Sequence, residues 1–102
     1  MEDTGYKSFT QFYPFYLSQH RDRTCRRLHF VGTSIGGLCL LQTIESLNPW
    51  WILVGLAVGY TFAWVGHFYF EKNRPATFAY PLYSFLGDWA MWRDTLTRKI
   101  PF

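Results

Sequence analysis

Residues 30–70 read FVGTSIGGLCLLQTIESLNPWWILVGLAVGYTFAWVGHFYF, and Glu45 is their only formal charge. All ten Lys and Arg of the 102-residue chain lie outside this stretch. Its second half, Trp50 to Phe70, is long enough to cross a hydrocarbon layer of about 30 Å as a helix of about 20 residues. The first half is weaker, because Gly32, Thr33, Ser34, Gly36, Gly37 and Gln42 interrupt its apolar run. Asn48-Pro49 between the halves is a turn signal, with Pro49 placed for a first helical position. The pattern predicts two antiparallel helices, over about 25–47 and 49–71, forming a transmembrane hairpin. Gly32-x-x-x-Gly36 and Gly55-x-x-x-Gly59 fit that pairing, or contact with a second copy, since small residues let helices approach closely in lipid.

The flanks are charged and aromatic. Lys7, Arg21, Arg23, Arg26 and Arg27 precede the hairpin, Lys72, Arg74, Arg93, Arg98 and Lys99 follow it, and the turn has none. The positive-inside rule puts both termini in the cytoplasm, in a bacterial inner membrane or the endoplasmic reticulum. Residues 1–7 read as a frayed start. Over 8–20, Phe9, Phe12, Tyr13, Tyr16, Leu17 and His20 recur at helical spacing, with Pro14 in an early turn or at a bend. Over 78–96, Phe78, Leu82, Phe85, Trp89, Trp92 and Leu96 step by three or four, with Asp88 at one edge of the stripe. Both segments suit a membrane interface. The expected fold is all-α: a small integral membrane protein, one domain over 1–102, with a hairpin between amphipathic interfacial helices.

Composition excludes several classes. An aromatic share of 22% against 17% charged rules out a disordered tail, a coiled coil or a collagen-like chain. Cys25 and Cys39 stand about four helical turns apart and form no disulfide framework. No cleavable signal peptide is expected, because the first 27 residues are polar and aromatic. The net charge of +3 comes without a basic helix, zinc knuckle or RNA-binding fingerprint, so it is assigned to membrane topology and not to nucleic acid.

The three histidines are the candidate chemistry. From the shared turn, His29 is 19 residues back from Asn48 and His67 is 18 on from Pro49, which places them at nearly equal heights. His20 precedes the same entry point. His20 and His29 are nine apart, about two and a half turns, so a shared site requires the helix to break between them. Arg21 to Thr24 allows the break, with Asp22 or Thr24 as the cap. His67 and Glu71 are four apart and share a helix face, able to bind one metal or to hydrogen-bond one another. A lone histidine on an apolar segment is commonly a satisfied core residue. Three at one membrane depth beside a carboxylate point to a metal site, with Glu71 touching the ion or one of its histidines.

The motifs then resemble a known family. Phe-Tyr-Pro-Phe-Tyr-Leu-x-x-His, ending at His20, is followed by Cys25-Arg-Arg-Leu-His29-Phe-x-Gly32-Thr and later by Gly66-His67-Phe-x-Phe-Glu71-x-Asn-x-Pro75-Ala-Thr-Phe. Together they resemble the 2-hydroxy fatty acid dioxygenase family of alpha-oxidation, long catalogued only as a domain of unknown function. The resemblance spans nearly the whole chain. It implies a membrane-embedded iron(II) oxygenase acting on a 2-hydroxy fatty acid and dioxygen, with His20, His29 and His67 at the metal-serving positions and Glu71 at the acidic one. Longer members often carry Asn where this chain has Cys25.

The implied reaction balances without a further cofactor. A 2-hydroxy acid plus dioxygen gives the acid one carbon shorter, carbon dioxide and water, and the substrate supplies all the electrons. The sequence accordingly has no Gly-rich dinucleotide loop. Four protein ligands would leave too few open positions for substrate and dioxygen, so one candidate is expected behind the ligands. Arg26, Arg27 and Arg74 crowd the same edge, to hold a fatty-acid carboxylate or to anchor helix ends at anionic head groups. Two other readings compete: a haem-binding electron-transfer module using two of the histidines, and a non-catalytic membrane scaffold pairing through its glycines.

Overall fold

Capping residues set where each helix begins. The computed structural model describes residues 5–102, so residues 1–4 of the expected frayed start lie outside the described residues. Tyr6 is packed, not frayed, with its ring centroid 5.2 Å from that of Phe15 and 5.7 Å from that of Phe12. Ser8 caps α1 (Phe9–Ser18), its hydroxyl accepting from the Gln11 amide at 3.2 Å. Pro14 stands inside α1, in its second turn. The chain then breaks. Asp22, of the two caps read from sequence, accepts from the Cys25 amide at 2.9 Å and opens α2 (Arg23–Ser46).

Leu47 ends α2 in the left-handed region, at φ 56°. Asn48 Oδ1 accepts from the Trp50 amide at 3.1 Å, and α3 (Trp50–Val65) starts just after Pro49. At Gly66–Glu71 the helix continues as a π-helix, which Lys72 closes at φ 60°. A 3₁₀ turn, Ala76–Phe78, leads into α4 (Pro81–Leu96), with Pro81 in its first turn.

Glycines let α2 and α3 lie against each other as an antiparallel pair. A Cβ on Gly32 would sit 2.8 Å from the Cβ of Phe62 and 3.0 Å from the Gly59 carbonyl oxygen. A Cβ on Gly55 would sit 2.9 Å from the Cβ of Cys39. Gly36 is looser, since its Cβ would meet only the Gly55 carbonyl oxygen, at 3.8 Å. The four glycines thus face one another inside the hairpin.

Among the described residues, one helix is long and apolar enough to cross a membrane: Trp50–Glu71, mean hydropathy 1.4. Only 22% of its most apolar window is buried, unlike the core helix of a soluble protein. The interrupted α2 does not reach that hydropathy. It still turns Leu38, Leu40, Leu41 and Ile44 outward beside Ile52, Leu53, Val54 and Leu56 of α3.

Helix α4 is apolar on the outside. Phe78, before the helix, and Leu82, Phe85 and Leu96 along it are exposed, while Ser84, Gly87, Ala90, Met91 and Asp94 face inward. Polar ties hold that inner face. Tyr13 donates to Asp94 Oδ2 at 2.7 Å, Tyr16 donates to Asp88, and Trp92 Nε1 donates to Ser34 Oγ at 2.9 Å. Between α1 and α4, Phe12, Tyr16, Ala76 and Met91 form a buried cluster, with Tyr6, Phe9, Tyr80 and Tyr83 around it. Many of the chain's aromatics are used there.

The glycine contacts give a graded expectation. Gly32→Ala should destabilise the detergent-solubilised protein by about 1–3 kcal/mol through overpacking, whereas Gly36→Ala should be close to neutral. Thermal unfolding of the two variants checks this; equal loss in both would mean that Gly32 does not set the helix spacing.

Candidate metal centre

Each histidine is fixed by the hydrogen bond on its Nδ1. His20 follows α1 at the break and donates to the Tyr16 carbonyl at 2.6 Å. His29, in the second turn of α2, donates to the Cys25 carbonyl at 3.1 Å. His67, inside the π-helix, donates to Asn73 Oδ1 at 2.7 Å. The Asn73 amide is itself oriented, because its Nδ2 donates to the Gln19 carbonyl at 3.1 Å. A carbonyl oxygen can only accept, so each Nδ1 carries the proton and each Nε2 keeps its lone pair.

Those rings converge. Centroid separations are 4.4 Å for His20–His29, 4.5 Å for His20–His67 and 4.9 Å for His29–His67. One ligand atom from each lies within 4.8 Å of the others, and the three residues are 2%, 4% and 2% exposed. The Nε2 atoms of His20 and His29 are 3.2 Å apart. With both Nδ1 protonated, neither can donate to the other, and two buried lone pairs repel. Two nitrogens bound tetrahedrally to one ion at 2.0–2.1 Å lie about 3.3 Å apart, so the donor set fits a metal ion. Burial, then the neighbouring imidazoles of His29 and His67, push His20 well below its ordinary pKa, which keeps it neutral at pH 7.

Close approach brings the elements together. A Cβ on Gly66 would meet Cys25 Sγ at 3.0 Å, so the start of α2 lies directly against the end of α3. A Cβ on Gly87 would meet the Tyr16 ring at 2.8 Å. That ring stacks on His20 with centroids 4.2 Å apart.

The other residues singled out from sequence lie elsewhere. Glu71 is not in the histidine cluster; its Oε2 accepts from the Asp22 amide. Sharing a helix face with His67 does not bring Glu71 to the other two rings, because its carboxylate is taken up by the Asp22 amide at the break. Arg26 donates to the carbonyls of Arg21 and His20, at 2.8 Å and 3.2 Å, and so braces the break. Arg27 donates to the Phe102 carbonyl at 3.1 Å and lies over that ring, while Arg74 lies over Phe78. No arginine lines the cavities beside the histidines.

Those cavities are lined in part by residues that sequence reasoning left without a role. A chamber of about 10 Å³, room for about one water or one ion, is bounded by all three histidines with Tyr16, Ser84 and Asp88. A groove of about 130 Å³ runs beside it between the hairpin and α4, past Gly32, Gly36, Gly55 and Phe85 to Leu40 and Ile52. His29, Tyr60, Ala63 and Asp88 line both. Asn73 was within the quoted motif, and Ser84 and Asp88 stand four apart along one edge of the apolar stripe of α4, which was the available signal.

Comparison with known proteins agrees with this geometry. A family model described as 2-hydroxy-palmitic acid dioxygenase Mpo1-like matches residues 6–100. The chain belongs to the Mpo1-like family. No curated protein and no solved structure matches it. The Mpo1-like match spans all four helices and contains every residue of the histidine cluster.

Asp88 provides a pH test. Burial pushes its carboxyl up to about 7, opposed by the Tyr16 hydrogen bond. A folded-state pKa above the unfolded value makes the protonated form the stabilising one. That stability is full below about pH 4 and is lost as pH rises through about 7. Wild type should lose on the order of 2 kcal/mol more than Asp88→Asn between pH 5 and 7.5, read by thermal unfolding in detergent. Parallel curves for the two proteins would contradict the assignment.

Proposed function

We propose that this chain is a membrane-embedded, iron(II)-dependent dioxygenase that converts a 2-hydroxy fatty acid to the acid one carbon shorter. The observation that carries this reading is the convergence of three buried, unprotonated Nε2 atoms at the head of an apolar groove. The family name supplies the substrate class. The reaction balances as RCH(OH)COOH + O₂ → RCOOH + CO₂ + H₂O: the C1–C2 bond breaks, and the four electrons that reduce dioxygen come from the substrate.

His20, His29 and His67 are the residues to hold the metal. Iron(II), when bound, supplies one-electron chemistry toward dioxygen, and three protein ligands leave coordination positions open. The oxygens of Tyr16, Cys25 and Asn73 hold the rings in the tautomer that ligation requires. Of the four candidate ligands, Glu71 is the one behind the site: by accepting from Asp22 N–H it pins the break that aims His20. Arg26 braces the same break through main-chain carbonyls. The groove takes the acyl chain along its glycines, where water is excluded by Ile52, Leu56, Phe85 and Trp89. Arg27 and Arg74 stand at the cytoplasmic edge, where basic side chains meet anionic head groups. In this reading the hairpin spans the membrane with both termini cytoplasmic.

Protein loaded with iron(II) without oxygen, then given 2-hydroxypalmitate and air, should yield pentadecanoic acid by mass spectrometry. His67→Ala should abolish the product, while Glu71→Gln, which keeps an acceptor for Asp22 N–H, should retain most turnover. Product formation by the histidine variant, or none by wild type, would sink the reading. Topology is checked separately: Asn48→Cys should react with an impermeant thiol reagent only from the non-cytoplasmic side, the native cysteines being buried.

A further inference from the structure

Four helical hydroxyls, Thr43, Ser46, Thr61 and Thr95, and that of Thr97 at the end of α4 donate to the carbonyl four residues earlier. Ser84, in the first turn of α4, does not. Its side chain is 2% exposed, and its Oγ has no hydrogen-bond partner among the described residues. It lines the chamber that the three histidines bound. A buried hydroxyl in this state is a donor kept for something absent from the polypeptide.

Asp88 stands one turn further along the same face. Tyr16 donates to its Oδ1, and Oδ2 accepts no hydrogen bond among the described residues. Ser84 lines only the chamber, Asp88 lines chamber and groove, and Phe85 and Trp89 line only the groove. Moving out from the histidines, α4 therefore presents a donor, then an acceptor, then an apolar wall.

A 2-hydroxy fatty acid carries the complementary groups in the same order: carboxylate, hydroxyl, acyl chain. We propose that Ser84 and Asp88 are the specificity-determining residues of this site, Ser84 Oγ donating to the substrate carboxylate and Asp88 Oδ2 accepting from the 2-hydroxyl. This inference rests on the function proposed above. A fatty acid without the hydroxyl leaves Oδ2 unpaired, which is the kind of contact that rejects an analogue most strongly.

The test is binding, not turnover. Full-length protein in detergent at pH 8, where the Asp88 carboxylate is ionised and Oδ2 accepts, loaded with iron(II) and kept free of oxygen, is titrated calorimetrically with 2-hydroxypalmitate and with palmitate. Wild type should prefer 2-hydroxypalmitate. Asp88→Leu should lower that preference about ten-fold, the loss of one good hydrogen bond. If it fails to fold, Asp88→Ala gives the same reading, since it removes the acceptor without adding bulk or a new donor. Ser84→Ala should weaken both acids about ten-fold yet raise the unfolding temperature of the ligand-free protein, because it removes a buried, unpaired hydroxyl. Wild-type affinities in Ser84→Ala together with a wild-type preference in the Asp88 variant would overturn the proposal and leave the dioxygenase reading standing. Failure of wild type to bind either acid would overturn both.

Discussion

Three imidazole lone pairs share one buried volume, and the rest of the structure is arranged around that constraint. None of the Nε2 atoms can relieve its neighbours by donating a proton, because each ring has already given its N–H to an oxygen through Nδ1. Those oxygens come from three separate places: the end of α1, the first turn of α2 and the loop after the π-helix. Holding them together requires a break at Gln19–Asp22, a widened turn at Gly66–Glu71 and a left-handed residue at Lys72. Each is an irregularity that a helical bundle would otherwise avoid, and all lie at one end of the molecule. A cation between the rings is the simplest account of why they persist.

Much of the architecture was legible because it follows from spacing. The four helices fall close to the segments read from periodicity, and the nine-residue interval between His20 and His29 required the break that Asp22 caps. Equal heights for His29 and His67 followed from counting along two helices from one turn. The partner of Glu71 did not follow, since a main-chain amide freed by the break at Asp22 leaves no mark in residue type. Asn73 is a fold-dependent partner. It reaches His67 only after the chain reverses at Lys72, and a helical count cannot carry an argument through such a reversal. The partners of the arginines were not legible: a cluster of charge at an edge says nothing about which groups each guanidinium finds, and here they find carbonyls and aromatic faces.

The apolar stripe of α4 supports the membrane reading proposed above. In water, the exposed Leu82, Phe85 and Leu96 would turn inward and Ser84, Asp88 and Asp94 outward, since burying apolar area is the dominant stabilising term. The structure has the opposite arrangement, as does the hairpin, whose outer surface is Leu, Ile, Val and Trp. In lipid, as proposed above, association comes from close packing and internal hydrogen bonds. That is what joins these helices: glycine faces between α2 and α3, and Tyr13–Asp94, Tyr16–Asp88 and Trp92–Ser34 on α4.

The same logic explains where the polar imperfections lie. A protein that pairs its buried polar groups this thoroughly leaves two buried side-chain atoms unpaired among the described residues, Arg26 Nε and Ser84 Oγ. Arg26 grips the carbonyl of His20, and Ser84 faces the chamber beside the same ring. Each unpaired buried group costs about 1–3 kcal/mol. Selection would remove such a cost from a purely structural helix, where Ala at position 84 would pack as well. Keeping it next to three convergent lone pairs gives up stability where a ligand can make use of the unpaired hydroxyl, and the aromatic cluster between α1 and α4 and the close α2–α3 contact provide the rigidity that makes this loss tolerable.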